Sequence, residues 1–281
     1  MKMPGYACVL LVGLMLTVEC NASDGKPGPT PHPFVFVFVD AKTERVLGPF
    51  PYDRSVYAKA IERATESGAK GVVLKFFIDL PRTDEGDRFL AKAISKTKVV
   101  LQAGSGDADS PPVSLPGKFL LKLPAQNGDK AIAANRGGLP LPQLSAVAFD
   151  IGFINYQTLD RMPLIEEYEK RYVKSLFACC LELAAGKAAE IVPGKSFRIG
   201  DKQLTLDAQS QAAIQFPAKD DLNYISLVDF IQPGIRAEAK DQVVVIGYDG
   251  DRIPPVQTPI GAVRQHRVFA YALLSLYQQL R

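Results

Sequence analysis

Three short apolar segments, separated by two amphipathic ones, constrain the fold of this chain more than any other feature of its sequence. Phe34–Val39 (FVFVFV), 71–78 (GVVLKFFI) and 98–103 (KVVLQA) have the composition of buried strands, while 54–66 and 87–95 place apolar residues at helical spacing. Strand, helix, strand, helix and strand at these lengths are typical of right-handed crossovers in a parallel sheet. The first half of the chain is therefore predicted to be α/β.

The second half of the chain mixes further strands and helices. A Gly- and Pro-rich stretch over 104–138 is predicted to be irregular, with one short strand at 119–123. Helices are predicted over 171–185, from Ser226 onward and over 266–280, and strands over 146–154, 162–165, 196–199, 203–206, 212–216 and 242–248. We therefore predict a mixed, largely parallel sheet flanked by helices on both faces, with an antiparallel meander in the second half.

Charge argues against a nucleic-acid partner. The 281 residues include 33 basic and 30 acidic side chains, a formal net charge of +3 without a block of one sign. About half of the residues are apolar, so a chain of this length can bury a core without disulfides.

The N-terminus has the pattern of a secretory signal peptide over 1–22. Lys2 precedes an apolar stretch, Ala7 to Val18, and cleavage is predicted after Ala22. An alternative is lipid attachment at Cys20, although the charged Glu19 before it disfavours that processing. A linker is predicted at 23–33 and a single domain at 34–281. No membrane span is predicted in the mature chain, so the protein is expected to be periplasmic or secreted.

Two cysteines remain in the predicted mature domain. Cys179 and Cys180 are adjacent in a predicted helix, where their side chains point about 100° apart and seldom bond to each other. They are interpreted as apolar core residues, with a redox switch as the alternative.

Several of these segments resemble, in order, the extracellular CHASE sensor domain of type two (cyclase and histidine kinase associated sensory extracellular). The longest resembling stretch is LGPFPYDRSVYAKAIERATESGAKGVV, which follows a strand ending in Asp. The later matches are Gly152-Phe153-Ile154-Asn155, Leu206-Asp207, Ala213-Ile214-Gln215-Phe216, Ile225-Ser226, Val243 to Gly247 and Thr258-Pro259-Ile260-Gly261. The resemblance covers residues from about Phe34 to Leu280.

Three departures from the family pattern bear on any ligand. Where the family's second strand ends in an acidic Phe-Asp pair, this chain has Leu74-Lys75. Asp251 is the nearest candidate for an Asp that usually precedes Thr-Pro, and a His near the start of the last helix aligns with Phe269. These replacements leave open whether the relatives' ligand is bound here.

The resemblance implies a sensory role. Family members are commonly fused through membrane helices to kinases or cyclases, whereas this chain resembles a free-standing, exported copy of the sensor. We expect a non-enzymatic ligand-binding domain in signal perception, whose partner is a small molecule or a membrane-bound signalling protein. The alternatives are an envelope protein interaction module without a small ligand and an exported hydrolase.

The candidate binding residues follow from the predicted sheet. Ligands of parallel α/β sheets bind beyond the carboxyl ends of the strands, which indicates Asp40, the segment 77–79 and the segment 247–251. Arg54, or the helix N-terminus there, is a candidate donor to an anion, against the alternative that Asp53 merely caps the helix and Arg54 is solvated. The tentative ligand-binding residues are Asp40, Tyr52, Arg54, Gly247, Asp251 and Thr258.

The sequence contains little that indicates a catalytic, cofactor or metal site. The motifs GxSxG, GxxxxGK[ST] and HExxH are absent, and neither a catalytic residue, a cofactor nor a metal is predicted. The segment GSGDADS at 104–110 is interpreted as a loop, because it lacks the Gly and distal Glu of a calcium-binding EF-hand. His266 is either a pH-sensitive group in a pocket near Thr258 or a surface or capping residue.

Overall fold

The centre of the molecule is a six-stranded, fully parallel sheet. The structure, a computed structural model, describes residues 32–104, 114–123, 131–134, 137–233 and 239–281. The strands, in their order across the sheet, are β13 (Ile225–Ser226), β1 (Phe34–Val39), β14 (Val243–Tyr248), β2 (Gly71–Leu74), β3 (Val99–Ala103) and β5 (Asp150–Phe153).

Helices cover both faces of this sheet. They are α1 (Ala41–Leu47), α2 (Arg54–Glu66), α3 (Asp84–Ile94), α4 (Pro142–Val147), α5 (Leu176–Ala185), α6 (Leu227–Phe230) and α7 (Gln265–Gln279). One core contains buried residues of α2, α3, α4 and α6, and the other contains those of α5 and α7. The central strands are apolar on both faces because each face packs against helices.

Polar residues just before the helices set where several of them begin. The side chain of Asp53 accepts from the backbone N–H of Ser55 at the start of α2, and that of Thr83 accepts from Gly86 in α3. Ser175 similarly accepts from Ala178 at the start of α5. These side chains satisfy N–H groups that have no partner inside the helix.

Shorter strands form four small sheets outside the central one. The first pairs β9 (Glu190–Val192), β10 (Ser196–Ile199) and β11 (Lys202–Thr205), and the second pairs β6 (Arg161–Pro163) with β12 (Gln211–Ala213). The third contains β4 (Ile132–Ala134), β7 (Ile165–Tyr168) and β8 (Arg171–Lys174), and the fourth is the hairpin of β15 (Val256–Thr258) and β16 (Gly261–Val263).

The predicted fold class is confirmed: a largely parallel sheet lies between helices, and antiparallel sheets occupy the second half. Strands β1 and β3, helix α2 and helix α7 lie within one residue of their predicted limits. Periodicity was informative there because burial on a helix or strand face selects the side chains.

The prediction of one helix over 171–185 is wrong at its start. Residues Arg171–Lys174 form strand β8, and the helix begins only after Ser175. Strand β8 is joined to β7 by a turn in which Glu169 and Lys170 have φ of 48° and 63°. Such a turn is usually marked by Gly or Asn, and neither residue is present to signal it.

Four predicted strands also need correction. The segment 146–154 begins inside helix α4, and its strand starts only at Asp150. The segment 71–78 leaves the sheet after Leu74, and 212–216 does not join a meander because β12 pairs with β6. Residues 119–123 contain no strand: Phe119 ends a short 3-10 turn, and Leu120 forms only an isolated bridge with Val173. Short apolar runs do not specify their pairing partner, so sequence alone did not resolve these cases.

Helices α1 and α4 and the β15–β16 hairpin were not predicted. Helix α1 carries the sequence AKTERVL, whose only buried residue is Thr43, so its apolar periodicity is weak. It is specified by its N-cap Asp40 and by Gly48, which ends it with φ of 86°.

Cys179 and Cys180 are free thiols buried in α5, in the core shared with α7. Burial raises the pKa of both thiols above the ordinary value, which disfavours the reactive thiolate. These findings favour the interpretation as core residues over that as a redox switch.

None of the helices in the described part of the chain combines the length and apolar composition needed to cross a membrane. The predicted signal peptide, its cleavage after Ala22, Cys20, and most of the predicted linker lie outside the described residues, as does the segment 105–110 of the proposed loop.

Candidate functional site

A cavity of about 1070 Å³ lies at the carboxyl edge of the central sheet. Its walls come from residues that follow β2 and β5, from the end of β3, and from the first turns of α2 and α7. This is the edge at which parallel α/β sheets bind ligands. The cavity volume lies just above the usual range for small-molecule sites.

A row of side chains crosses the sheet at the floor of this cavity. Gln102 pairs with Gly152, and Phe38 pairs with Gly247, one residue before the ends of these strands. Lys75 lies one position beyond the Leu74–Leu101 pair, which brings it next to Gln102 on the face covered by α5 and α7. Two glycines, a lysine and a glutamine thus occupy a layer that is otherwise apolar.

Lys75 is buried, with 6 % of its surface exposed, and lines the cavity. Its Nζ lies 5.2 Å from the centroid of the Phe269 ring and forms no hydrogen bond or ion pair with any described residue. Burial lowers the pKa of this ammonium to about 7, although the nearby Cys180 opposes the shift. At physiological pH the site therefore holds a lysine that is divided between its neutral and charged forms.

Gln102 places a second unsatisfied group in the same space. Only 3 % of the residue is exposed, and its Oε1 has no hydrogen-bond partner among the described residues. A buried amide oxygen without a partner is costly, which marks this position as one where a ligand or water completes the bonding.

His266 closes one end of the row from α7. Its Nδ1 accepts a hydrogen bond of 2.8 Å from the backbone N–H of Tyr248, so the ring proton of the neutral form is assigned to Nε2. Gly247 makes room for this ring, because an added Cβ would lie 2.8 Å from the His266 Nδ1. Burial, helped by Lys75, holds the pKa of His266 well below its ordinary value.

His266 is accordingly neither a surface residue nor a group that titrates near neutral pH. His266 lines the large cavity and not the one that Thr258 lines, and its lowered pKa does not fit a group that is pH-sensitive near neutral pH. Its role in the structure is that of a neutral donor and acceptor between Tyr248 and the cavity.

The opposite flank of the cavity is aromatic and contains Arg54. Phe76 lies 5.7 Å from Phe50 and 5.1 Å from Tyr57, measured between ring centroids, and Phe50 lies 4.6 Å from Tyr248. These rings present apolar surface to the cavity, as is common in sites for small organic molecules.

Arg54 lines the cavity but is occupied by protein groups. Its guanidinium donates to the carbonyl of Leu80 over 3.1 Å, and its Nε lies 3.6 Å from a carboxylate oxygen of Asp87. The residue is buried, with 5 % exposed, so the alternative of a solvated Arg54 is wrong. The other part of that alternative holds, because Asp53 does cap α2.

Asn155 reaches the cavity from the end of β5 and is anchored by Glu166. Its backbone N–H and its side-chain amide both donate to the Glu166 carboxyl, over 3.1 Å and 2.5 Å. Glu166 is fully buried, and burial raises its pKa to about 8 despite these hydrogen bonds. Glu166 thus positions Asn155 without touching the cavity itself.

Asp40, the first candidate from the sequence, lies at the same edge of the sheet but outside the lining of the large cavity. Its Oδ1 accepts from the backbone N–H and the hydroxyl of Thr43, at 2.9 Å and 2.8 Å, and its Oδ2 accepts from Ser226. Burial would raise the pKa of Asp40, but the hydrogen bonds from Ser226 and Thr43 outweigh it and lower the pKa.

The remaining sequence candidates are dispersed around this edge. Tyr52 is buried and its hydroxyl donates to the carbonyl of Gly48, while Asp251 is exposed and pairs with Arg264. Thr258 lies in the β15–β16 hairpin and lines a separate cavity of about 770 Å³. Of the six candidates, Arg54 alone lines the large cavity. Gly247 lies directly behind His266, which does line it.

The tentative binding residues predicted from the sequence did not include Lys75, Gln102, Asn155 or His266, although a pocket location was one of the two alternatives for His266. A signal was present for two of them: Lys75 and Gln102 are polar residues within otherwise apolar strand segments. In the described ranges, no group of three or more His, Cys, Asp or Glu side chains is arranged to hold a metal ion.

Comparison with known proteins gives one family match. The family model described as the CHASE2 domain matches residues 7–280, nearly the whole chain. Neither a curated protein nor a solved structure matches the chain.

Proposed function

The chain belongs to the CHASE2 domain family of extracytoplasmic sensory domains, and from that premise we propose that it perceives a small molecule by binding it in the cavity at the carboxyl edge of the sheet. In this proposal the protein is exported, does not convert its ligand chemically, and reports binding to a membrane-bound signalling protein.

One observation carries the proposal: the Lys75 ammonium and the buried Gln102 carbonyl oxygen line the same cavity, and neither has a hydrogen-bond partner among the described residues. Natural proteins rarely leave such groups unsatisfied in a packed core. A large cavity with few polar groups among aromatic walls is the common form of a small-molecule site.

The position of the cavity supports a sensory use of binding. Arg54 and Tyr57 belong to α2 on one face of the sheet, while Gln265 and His266 belong to α7 on the other. A ligand that contacts both helices favours the arrangement in which they approach it best. Binding energy is thereby available to shift the relative positions of α2 and α7.

Binding rather than catalysis is supported by the chemistry of the histidine in the cavity. His266 uses Nδ1 to accept from Tyr248, and its pKa lies well below the ordinary value. A histidine in this state is a weak general base. The proposal therefore assigns it to ligand orientation.

Native and denaturing mass measurements on the gently purified protein test the proposal, together with one variant that fills the cavity. Gln265→Trp introduces an indole at the cavity wall in the first turn of α7, and Gln278→Trp makes the same change at an exposed position of that helix. We expect a ligand-sized mass excess that disappears on denaturation, is reduced in Gln265→Trp and is unchanged in Gln278→Trp.

Two outcomes contradict the proposal. A mass excess that Gln265→Trp leaves intact places the ligand outside this cavity. A bare chain for the wild type and for both variants favours an interaction module that docks on another envelope protein without a small ligand.

A further inference from the structure

We propose that Lys75 is an anion anchor, and that the cavity takes a small organic acid whose carboxylate binds the Lys75 ammonium while its apolar body lies against the aromatic wall. This inference rests on the proposed function and names the ligand class of that same site.

Lys75 differs in its bonding from the partly buried Lys174 and from the exposed Lys70. The Lys174 ammonium is paired with Asp150 and with Glu182, the latter at 2.9 Å, and the Lys70 ammonium donates to the carbonyl of Ala184 at 2.8 Å. Lys75 is more buried than either, yet its ammonium makes no hydrogen bond or ion pair with the described residues and lies 5.2 Å from the centroid of the Phe269 ring. A buried ammonium needs an acceptor, and here the cavity is the space from which one can come.

No carboxylate of the described residues faces Lys75 from the elements packed around it. The nearest titratable groups are Cys180 of α5 and His266 of α7, and burial keeps both uncharged. The cavity wall adds Arg54, which is paired with Asp87, together with Tyr57, Asp79, Arg82, Tyr156 and Tyr248. Of these, Asp79 is the single carboxylate, and it lies in an exposed segment.

Arg54 pairs with Asp87 and Arg82 donates to the carbonyl of Pro51, so Lys75 is the cation of the lining without an acceptor among the described residues, and this favours a monoanion. A single ammonium matches the single charge of a carboxylate, whereas phosphate groups are usually held by a guanidinium fork or several backbone N–H groups. The Gln102 carbonyl oxygen beside Lys75 accepts from a hydroxyl or amine next to that carboxylate.

The aromatic wall favours an acid with an apolar or aromatic body. Phe50, Phe76 and Tyr248 form a continuous set of ring contacts along one side of the cavity. Rings of a ligand pack against such a wall in offset or edge-to-face geometry. Phenylacetate, with one carboxylate and one phenyl ring, is a suitable probe.

Binding to this site is coupled to a proton. Without ligand, burial lowers the pKa of Lys75 to about 7, and a bound carboxylate raises it again. Below pH 7 the ammonium is already formed, so affinity is nearly constant. Above pH 7 each bound carboxylate requires uptake of a proton, and affinity falls by about tenfold per pH unit.

The test compares phenylacetate with its neutral analogue phenylacetamide by calorimetric titration at pH 6 and pH 8.5. The proteins are wild type, Lys75→Met and the control Lys98→Met. Lys98 is exposed and lies just before β3, at the opposite edge of the sheet. Wild type is expected to bind phenylacetate at least about tenfold more weakly at pH 8.5 than at pH 6. Lys75→Met is expected to lose at least about tenfold in affinity for phenylacetate at pH 6, and Lys98→Met to match wild type.

Lys75→Gln, which keeps a polar side chain of similar length, provides a second variant and is expected to lose phenylacetate binding in the same way. Equal binding of phenylacetate by wild type and Lys75→Met, no binding by wild type, or pH-independent affinity each overturns the inference. Phenylacetamide bound as well as phenylacetate by all variants removes the anion anchor but leaves the cavity as a binding site. The mass measurements above decide that second question separately.

Discussion

Two polar groups at the carboxyl edge of the same sheet have opposite bonding states. At the end of β1, the Asp40 carboxylate accepts three hydrogen bonds from Thr43 and Ser226. At the end of β2, the Lys75 ammonium lies over the Phe269 ring and forms no hydrogen bond or ion pair with the described residues. Both residues are buried, and both follow an apolar strand.

The comparison separates two uses of a polar residue after a strand. Asp40 begins α1 and ties it to β13 through Ser226, so it acts in the structure of the rim. Lys75 stabilises no helix start and no ion pair, and its burial lowers stability in the empty protein. Position relative to the strand does not distinguish these uses, whereas the presence of a bonding partner does.

The largest expected effect is a gain in stability when Lys75 is replaced by an apolar side chain of similar length. We expect Lys75→Met to raise the free energy of unfolding by about 3 kcal/mol at pH 6, because the buried ammonium is removed. Urea denaturation measures this difference.

The pH dependence of that gain follows from linkage. The folded pKa of Lys75, about 7, lies below the unfolded value, so the unfolded chain binds more protons above pH 7 and wild-type stability from this residue rises with pH. The advantage of Lys75→Met should therefore shrink by about 2 kcal/mol between pH 7 and pH 9. If the stability difference between Lys75→Met and wild type does not change with pH, the pKa of Lys75 is not lowered by burial in the folded protein.

Substitution of Asp40 should lower the free energy of unfolding, in contrast to that of Lys75. Asp40→Ala removes the cap of α1 and leaves the Thr43 and Ser226 donors unpaired, and we expect a loss of about 2 to 3 kcal/mol in the free energy of unfolding. Because the pKa of Asp40 is lowered, its contribution is present above the unfolded value near 4 and is lost as the pH falls through the folded value.

Asp251→Ala is the matched control for this change. Its side chain is 91 % exposed and pairs with Arg264, so its loss should change stability by less than about 0.5 kcal/mol. Equal effects of the two substitutions would remove the distinction between a structural rim residue and an exposed one.

Gly247 tests whether the row on the floor of the cavity is tightly packed. We expect Gly247→Ala to lower the free energy of unfolding by about 2 kcal/mol, because the new methyl group meets His266 at 2.8 Å and Phe38 at 3.1 Å. Gly117→Ala, where an added Cβ finds nothing within 4 Å, should have little effect. Thermal unfolding of both variants checks the expectation, and similar midpoints would contradict it.

The smallest expected effect concerns Thr258, the sequence candidate that lines the separate, smaller cavity. Its hydroxyl donates to the carbonyl of Gly261 over 2.7 Å at the tip of the β15–β16 hairpin. Thr258→Ala should lower stability by about 0.5 kcal/mol. Thr205→Ala, at an exposed strand position, serves as the reference, and a loss above about 2 kcal/mol at Thr258 would assign it a larger structural role.

Much of the fold was predictable because its signals are local. Phe34–Val39 and the periodic apolar residues of α2 and α7 indicate buried faces without reference to distant parts of the chain. The errors occur where the signal is weak or non-local. The turn at Glu169 and Lys170 lacks a glycine, and the polar helix α1 depends on a single capping carboxylate.

The candidate site was predictable only in its general position. The rule for parallel sheets correctly indicates the carboxyl edge, where the large cavity lies. Of the positions it indicated, Asp40 makes its hydrogen bonds within the rim, whereas Phe77, Asp79 and Tyr248 line the cavity. It did not indicate Gln102 or His266. Whether a polar group is satisfied depends on partners such as Ser226, which is distant in sequence and adjacent in space.

The sequence by itself determined the α/β class, the buried strands and the membership in a sensory family, because strand and helix periodicity and ordered motifs are properties of the chain alone. Only the tertiary structure decided which polar residues are bonded to the protein and which face a cavity. Hydrogen bonding and desolvation depend on distances between segments far apart in the chain, and these distances exist only once β1, β14, β2 and β3 lie side by side.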